Sequence, residues 1–273
     1  MGNMKKKIKT TKLKRVSNKE KGLIQLFEEC KSTGNFVFDN ELVKTICKKY
    51  SFGNPFDMSK IDNSEKIPNK IRTENYFLIH LGGGYHKFVK GVKTVFHEFE
   101  EINENNIVEW KYRKSVLNEA DTSESNILSV VANQRIIHDF LYEDIVASPK
   151  IYFPRRTKMD MEYQLDKEKV IAHGLQMEID LTMEYQKTVT VIEGKNNFPK
   201  DFAVYQLFSP NYYYNILKEE EGYEIDDVQC CYVLKKRLKD YTAIRLYLYE
   251  FENWRQFSSI KLVKNAQYNL VKR

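Results

Sequence analysis

Apolar side chains recur at helical spacing twice near the start of the chain, then give way to alternating and continuous apolar runs. Across residues 17–34, Leu23, Ile24, Phe27 and Cys30 share one helical face. Ser17 stands where an N-cap accepts the Glu20 backbone N–H, and Gly34 suits the stop. Residues 39–53 repeat the plan, with Asp39 as N-cap and Leu42, Val43, Ile46 and Tyr50 facing inward. "NPFD" turns the chain. "NYFLIHLGGGYHKFVKG" then predicts two strands around a glycine turn, with "TVFHEFEEI" following. The glycines lack the Lys-Ser/Thr of a phosphate loop and the spacing of a dinucleotide site, so they predict a hairpin turn of positive φ. Two helices followed by a hairpin are also the element order of a winged helix-turn-helix.

Polarity rises over residues 103–123, "NENNIVEWKYRKSVLNEADTS", and the boundary between two units is placed there. Residues 1–22 form an arm, 23–112 an N-terminal α+β unit and 113–273 a second domain. "SESNILSVVANQRIIHDFLYEDI" predicts one long amphipathic helix carrying Ile127, Leu128, Val131, Ile137 and Leu141. "KIYFPRRTKMDMEYQL" predicts strand, turn, strand, and "QMEIDLTMEYQKTVTVIEGKNN" predicts two further strands. "KDFAVYQLFSPNYYYNILKEE" predicts a helix bent or broken at Pro210. "DVQCCYVLKKR", "AIRLYLYEF" and "SIKLVKNAQYNLV" read as strands. The order from residue 124 is therefore helix, strands, helix, strands.

Composition adds limits. The chain has 273 residues, 42% hydrophobic and 30% charged, which suits a folded α/β (α+β) protein and excludes a disordered one. No run reaches the roughly 18 apolar residues needed to span a bilayer, and the basic N-terminus is followed by no apolar core. The expected location is the cytoplasm, with no membrane partner. Four cysteines without zinc-like spacing predict no disulfide and no zinc site. Residues 1–22 hold nine Lys or Arg against one acid, Glu20, giving this arm +8 and the remaining residues −2 of the net +6. Lys12, Lys14 and Arg15 of the arm suit phosphate contacts, because neutralised phosphates release counterions. A solvated tail explains the same charge equally well.

The candidate chemistry lies in the hairpin. If its turn centres on Gln186–Lys187, Asp180 opposes Glu193 and Glu178 opposes Lys195, and all four project from one side of the sheet. A slip of one residue would separate them. Opposed like charges destabilise by up to about 1 kcal/mol, and burying them costs more. A divalent cation bridging Asp180 and Glu193 removes that cost. Mg²⁺ needs only one or two carboxylates and fills its remaining positions with water and phosphate oxygens. Lys195 would then orient water and stabilise developing negative charge. An exposed hairpin with ordinary charge pairs is the competing account. It fits less well because "TVTVIEGK" is the apolar run of a central strand.

These residues resemble the bipartite motif of the PD-(D/E)xK nuclease superfamily. "EID" and "IEGK" supply the two halves, and "YQLFSPNYYY", "NPFDMSKID" and "YFLIHLGGGYHKFVKG" look similar to type II restriction endonucleases of that superfamily. The resemblance implies a restriction-endonuclease-like core of helix, three strands, helix, strand, and the element order before it gives an N-terminal α+β unit of winged-helix-like kind. It implies Mg²⁺-dependent, sequence-specific hydrolysis of double-stranded DNA by a homodimer, with a methyltransferase acting on the same site as a further partner. Asp180 matches the first acid, and Glu193 and Lys195 match (D/E)xK. Ile179 stands where the motif has Pro, and Glu178 is an additional acid. Glu124 is the candidate helix acid and Gln206 the candidate polar helix residue beside the site, although a capping or core-facing Gln fits as well. Arg155 and Arg156 in "PRRT" suit phosphate or guanine-edge contacts and, equally, a solvated turn. The five histidines are assigned ordinary structural roles. A structure-specific or repair nuclease of the same fold, and a non-catalytic DNA-binding regulator, stand as alternatives.

Overall fold

The computed structural model describes residues 16–91, 93–112, 115 and 124–272. The first helix, α1 (Asn18–Thr33), starts where Ser17 Oγ accepts the Glu20 N–H at 3.1 Å and ends at Gly34, whose φ is 70°. Strand β1 (Val37–Asp39) leads into α2 (Asn40–Lys49), capped by Asp39 through the Glu41 and Leu42 N–H groups. Two short helices follow, α3 (Pro55–Met58) and α4 (Asn69–Thr73), before the hairpin β2 (Tyr76–Gly82) and β3 (Tyr85–Lys90). The three strands form a sheet of order β1-β3-β2. Leu23, Phe27, Val43, Ile46 and Phe88 join one core beneath it.

From β4 (Phe96–Glu98) and β5 (Ile107–Tyr112) onward the chain builds a second unit. Helices α5 (Glu124–Asn133) and α6 (Ile136–Tyr142) precede β6 (Lys150–Tyr152), β7 (Arg155–Leu165), β8 (Glu168–Ile179), β9 (Leu181–Tyr185), β10 (Thr188–Asn196) and β11 (Asp201–Ala203). Helix α7 (Tyr205–Glu219) then connects to β12 (Asp227–Arg237), β13 (Thr242–Phe251) and β14 (Ile260–Lys272). Seven strands form a mixed sheet of order β5-β14-β13-β12-β10-β9-β6. Strands β6, β9 and β10 are antiparallel neighbours, whereas β10 and β12 run parallel, as the intervening helix requires. Alternation along the strands divides the core in two. Val189, Val191, Cys230 and Tyr232 pack with Leu207 and Phe208 of α7. Ile192, Cys231 and Val233 pack with Ile127, Leu128 and Val131 of α5. All four cysteines are free and buried.

Three sequence expectations change. First, residues 107–112, read as the end of the N-terminal unit, belong to the seven-stranded sheet. The polar segment there contains β5, an edge strand paired in parallel with β14, and its alternating exposure reads as a linker in the sequence. Trp110 of β5 donates to the Gln134 carbonyl at 3.0 Å and so closes the end of α5. Second, the single long helix is two, because Arg135 adopts a left-handed conformation at φ 59° between them. Third, α7 runs through Pro210 without ending there. The lost N–H leaves only the Gln206 carbonyl without its usual intrahelical donor.

The two units are joined by specific contacts. Tyr205 donates to Asp62 Oδ1 at 3.2 Å, and the Ala203 N–H bonds the Asp62 carbonyl at 2.7 Å. Asp201 accepts from both the backbone and the hydroxyl of Ser64. Lys87 pairs with Glu168. Gly82 sits so close to β8 that an added Cβ would lie 2.1 Å from the His173 carbonyl oxygen, so only glycine permits this contact.

Candidate functional site

The β9–β10 hairpin turns at Gln186 and Lys187, both at positive φ (49° and 62°). Its pairs run from Tyr185↔Thr188 to Leu181↔Ile192, the register in which Asp180 meets Glu193. Position 180 follows 182 in facing α7, as 193 and 195 follow 189 and 191. Asp180 lies at the bend between β8 and β9, and its Oδ2 accepts the Gly194 N–H at 3.2 Å. Its carboxyl is within hydrogen-bonding reach of Glu193.

Glu193 is the buried centre of the cluster, 8% exposed. Its Oε1 receives Lys195 Nζ at 2.9 Å and Gln206 Nε2 at 2.8 Å. Tyr232, directly beside Glu193 on β12, donates to Gln206 Oε1 at 3.2 Å and fixes the amide orientation. Burial pushes the Glu193 carboxyl up to about 8; Asp180 pushes the same way, while Lys195 opposes. The upward shift favours the protonated form of Glu193 beside Asp180, and a cation that binds here competes with that proton.

Among the described residues no group of three or more His, Cys, Asp or Glu forms a metal cage. The donor set is a carboxyl pair with an adjacent ammonium. It fits a hard cation that takes one or two carboxylates and completes its shell with water and substrate oxygens.

The cluster opens into a cavity of about 630 Å³ between the two units. Glu178, Asp180, Glu193, Lys195, Tyr205 and Gln206 of the second unit line it, as do Lys60, His80, His86 and Asn40 of the N-terminal unit. Asp62 stands behind Tyr205; burial pushes its carboxyl up, but Lys66 at 2.5 Å, with smaller contributions from Lys60 and Lys195, holds it below the usual carboxylate value.

The expected site residues are thus only partly brought together. Asp180, Glu193, Lys195 and Gln206 meet. Glu178 does not oppose Lys195 across the hairpin, because the strand leaves the large sheet at Asp180 and β8 pairs with β7 instead. There Glu178 faces Arg156 and binds its Nε at 2.6 Å, while still lining the cavity. Arg155 is held on Tyr213, 2.7 Å from its hydroxyl, with the guanidinium over the ring. Glu124 opens α5, and its side chain lies outside the described part, as do Lys12, Lys14 and Arg15. The sequence reading did not find Asp62, Tyr205 or the His80–His86 pair. Their only sequence signal is membership of "NPFDMSKID", "YQLFSPNYYY" and the glycine hairpin, segments that carry the resemblance without marking these residues individually.

No curated protein and no solved structure matches this chain. Residues 20–88 match a family described as Domain of unknown function (DUF6996), a span that ends with the first unit. The second unit carries the broader match, over residues 91–269, and by it the chain belongs to the family described as Domain of unknown function (DUF6997).

Proposed function

We propose that the chain is a Mg²⁺-dependent endodeoxyribonuclease of the type II restriction kind. The observation that carries this reading is the buried Glu193 carboxyl set between Asp180 and Lys195 in the lining of a cavity. Structure alone gives little reason for such a cluster, since an apolar pair in its place would cost nothing in desolvation. The topology supports the same reading. Helices α5–α6, strands β6, β9 and β10, helix α7 and strand β12 follow the helix, three strands, helix, strand order of the PD-(D/E)xK core. Strands β7 and β8 are then an insertion between the first two core strands. In the first unit, the order β1-β3-β2 with helices before the hairpin supports a winged-helix-like DNA-binding role.

Asp180 and Glu193 would hold the metal, which when bound polarises a phosphate oxygen and acidifies a water. Lys195, on the same face of β10, orients that water and stabilises charge as its oxygen bonds to phosphorus and one ester P–O bond breaks. Gln206 keeps Glu193 turned toward Asp180. The attacking water gives up its proton to solvent, and the departing ester oxygen takes one from solvent. A homodimer and a cognate methyltransferase belong to this proposal as partners.

The test is digestion of mixed DNA with Mg²⁺, followed by electrophoresis. Discrete bands support restriction. A smear, or cutting confined to junctions, replaces it with a repair or structure-specific nuclease. Intact DNA that is nevertheless bound replaces it with a regulator.

A further inference from the structure

The proposed reaction uses cavity-lining residues of the second unit and leaves those of the N-terminal unit without a task. Among the latter, His80 and His86 face each other across β2 and β3, with their Nδ1 atoms 2.8 Å apart. His86 Nε2 lies 2.9 Å from Asn40 Oδ1. Only one proton fits between the two Nδ1 atoms. With Asn40 Oδ1 accepting, His86 donates through Nε2, its Nδ1 must accept, and His80 must donate through Nδ1. His80 Nε2 is then a bare acceptor, and it makes no hydrogen bond among the described residues. Burial lowers the pKa of both rings, and His86 lowers that of His80 further, so both stay neutral and the polarity of the chain is fixed.

Tyr205 continues this wall toward Gln206 and Glu193. Its ring meets His80 edge-on at 5.9 Å between centroids, and its hydroxyl is tied to Asp62. Lys60 and Lys158 also line the cavity. A volume of about 630 Å³ lies within the range of about 300–1,000 Å³ for small-ligand sites, enough for one nucleotide but not for a stacked duplex.

We propose that the cavity holds a single nucleotide turned out of its stack. Its phosphate lies toward Asp180, Glu193 and Lys195, and its base packs beside Tyr205 with an edge N–H donating to His80 Nε2. Aromatic contact and a satisfied base edge offset the unstacking. The placement of the phosphate rests on the nuclease reading. The base site goes beyond it, giving the N-terminal unit a direct part in recognition.

Equilibrium dialysis of the full chain with Mg²⁺ tests this, using dAMP, dCMP and 2-deoxyribose 5-phosphate as probes. The base-bearing probes should bind at least tenfold more tightly than the abasic one, a difference of about 1.4 kcal/mol. His80→Ala should reduce that discrimination at least threefold. Asn40→Ala, which only releases His86, should do the same and covers the case in which His80→Ala does not fold. Equal affinities, discrimination unmoved by either variant, or no binding of any probe would overturn the base site. DNA digestion separates the two readings. Base discrimination without cleavage removes the nuclease assignment alone, whereas cleavage without discrimination removes the base site alone.

Discussion

The two faces of the seven-stranded sheet are covered by helices of opposite character. On one, α5 lays Ile127, Leu128, Val130 and Val131 on Ile192, Cys231, Val233, Ile244 and Leu246, an apolar contact. On the other, the nine buried residues of α7 include Gln206, Ser209, Asn211 and Asn215. Each of the three amides is hydrogen-bonded: Gln206 to Glu193, Asn211 to the Val228 carbonyl and Asn215 to Asn211. Burying so many polar groups gains little stability and demands a partner for each. Neighbouring residues of β10 sharpen the contrast. Ile192 is fully buried in the apolar face, and Glu193 is buried in the polar one. A strand that serves stability on one side and buries a carboxyl on the other separates folding from chemistry by a single residue step.

The largest expected effect breaks the chemical side alone. Lys195→Ala should lower the DNA cleavage rate by about 10³-fold while leaving DNA affinity, measured by gel shift, within about twofold. A rate within tenfold of the parent would remove Lys195 from the reaction.

Paired variants on β10 come next. Ile192→Ala should cost about 2–5 kcal/mol in denaturant unfolding yet keep the cleavage rate per folded molecule. Glu193→Gln should do the reverse, and the sign follows from linkage. A carboxyl raised from 4.5 to about 8 leaves stability untouched below the lower value. Without a cation, stability then falls as pH rises toward the upper value, and the loss is complete above it. Glu193→Gln removes that loss, so above about pH 8 it should unfold at no lower denaturant concentration than the parent. A marked drop there would mean that the ionised carboxyl stabilises the fold.

The smallest effect concerns positioning. Gln206→Leu should raise the Mg²⁺ concentration for half-maximal cleavage about tenfold, with little change in maximal rate. An unchanged Mg²⁺ requirement would make this glutamine a core residue only.

What the sequence revealed follows the distance over which each feature is encoded. Asp180, Glu193 and Lys195 share one hairpin, so a two-residue turn and strict alternation place them together. Gln206 follows from the helix that must cross over between the parallel strands β10 and β12. Glu178 was misplaced because nothing local marks the point where the strand leaves one sheet for another. Asp62 and Tyr205 meet across 143 positions, and such a contact has no periodicity to reveal it. The histidines were five scattered residues until β2 and β3 paired. Strand β5 was hidden for a similar reason. It is a half-exposed edge strand whose partner, β14, lies at the far end of the chain.

The account depends most on Asp180 and Glu193 sharing one divalent ion, and a thermal-shift titration with Mg²⁺ in the absence of DNA tests it most directly. Because the Glu193 proton must leave for the ion to bind, stabilisation by Mg²⁺ should be small at about pH 6, grow several-fold by about pH 8.5, and vanish in both Asp180→Asn and Glu193→Gln. A shift that is absent at both pH values, or that survives either substitution, would contradict a shared ion at this pair.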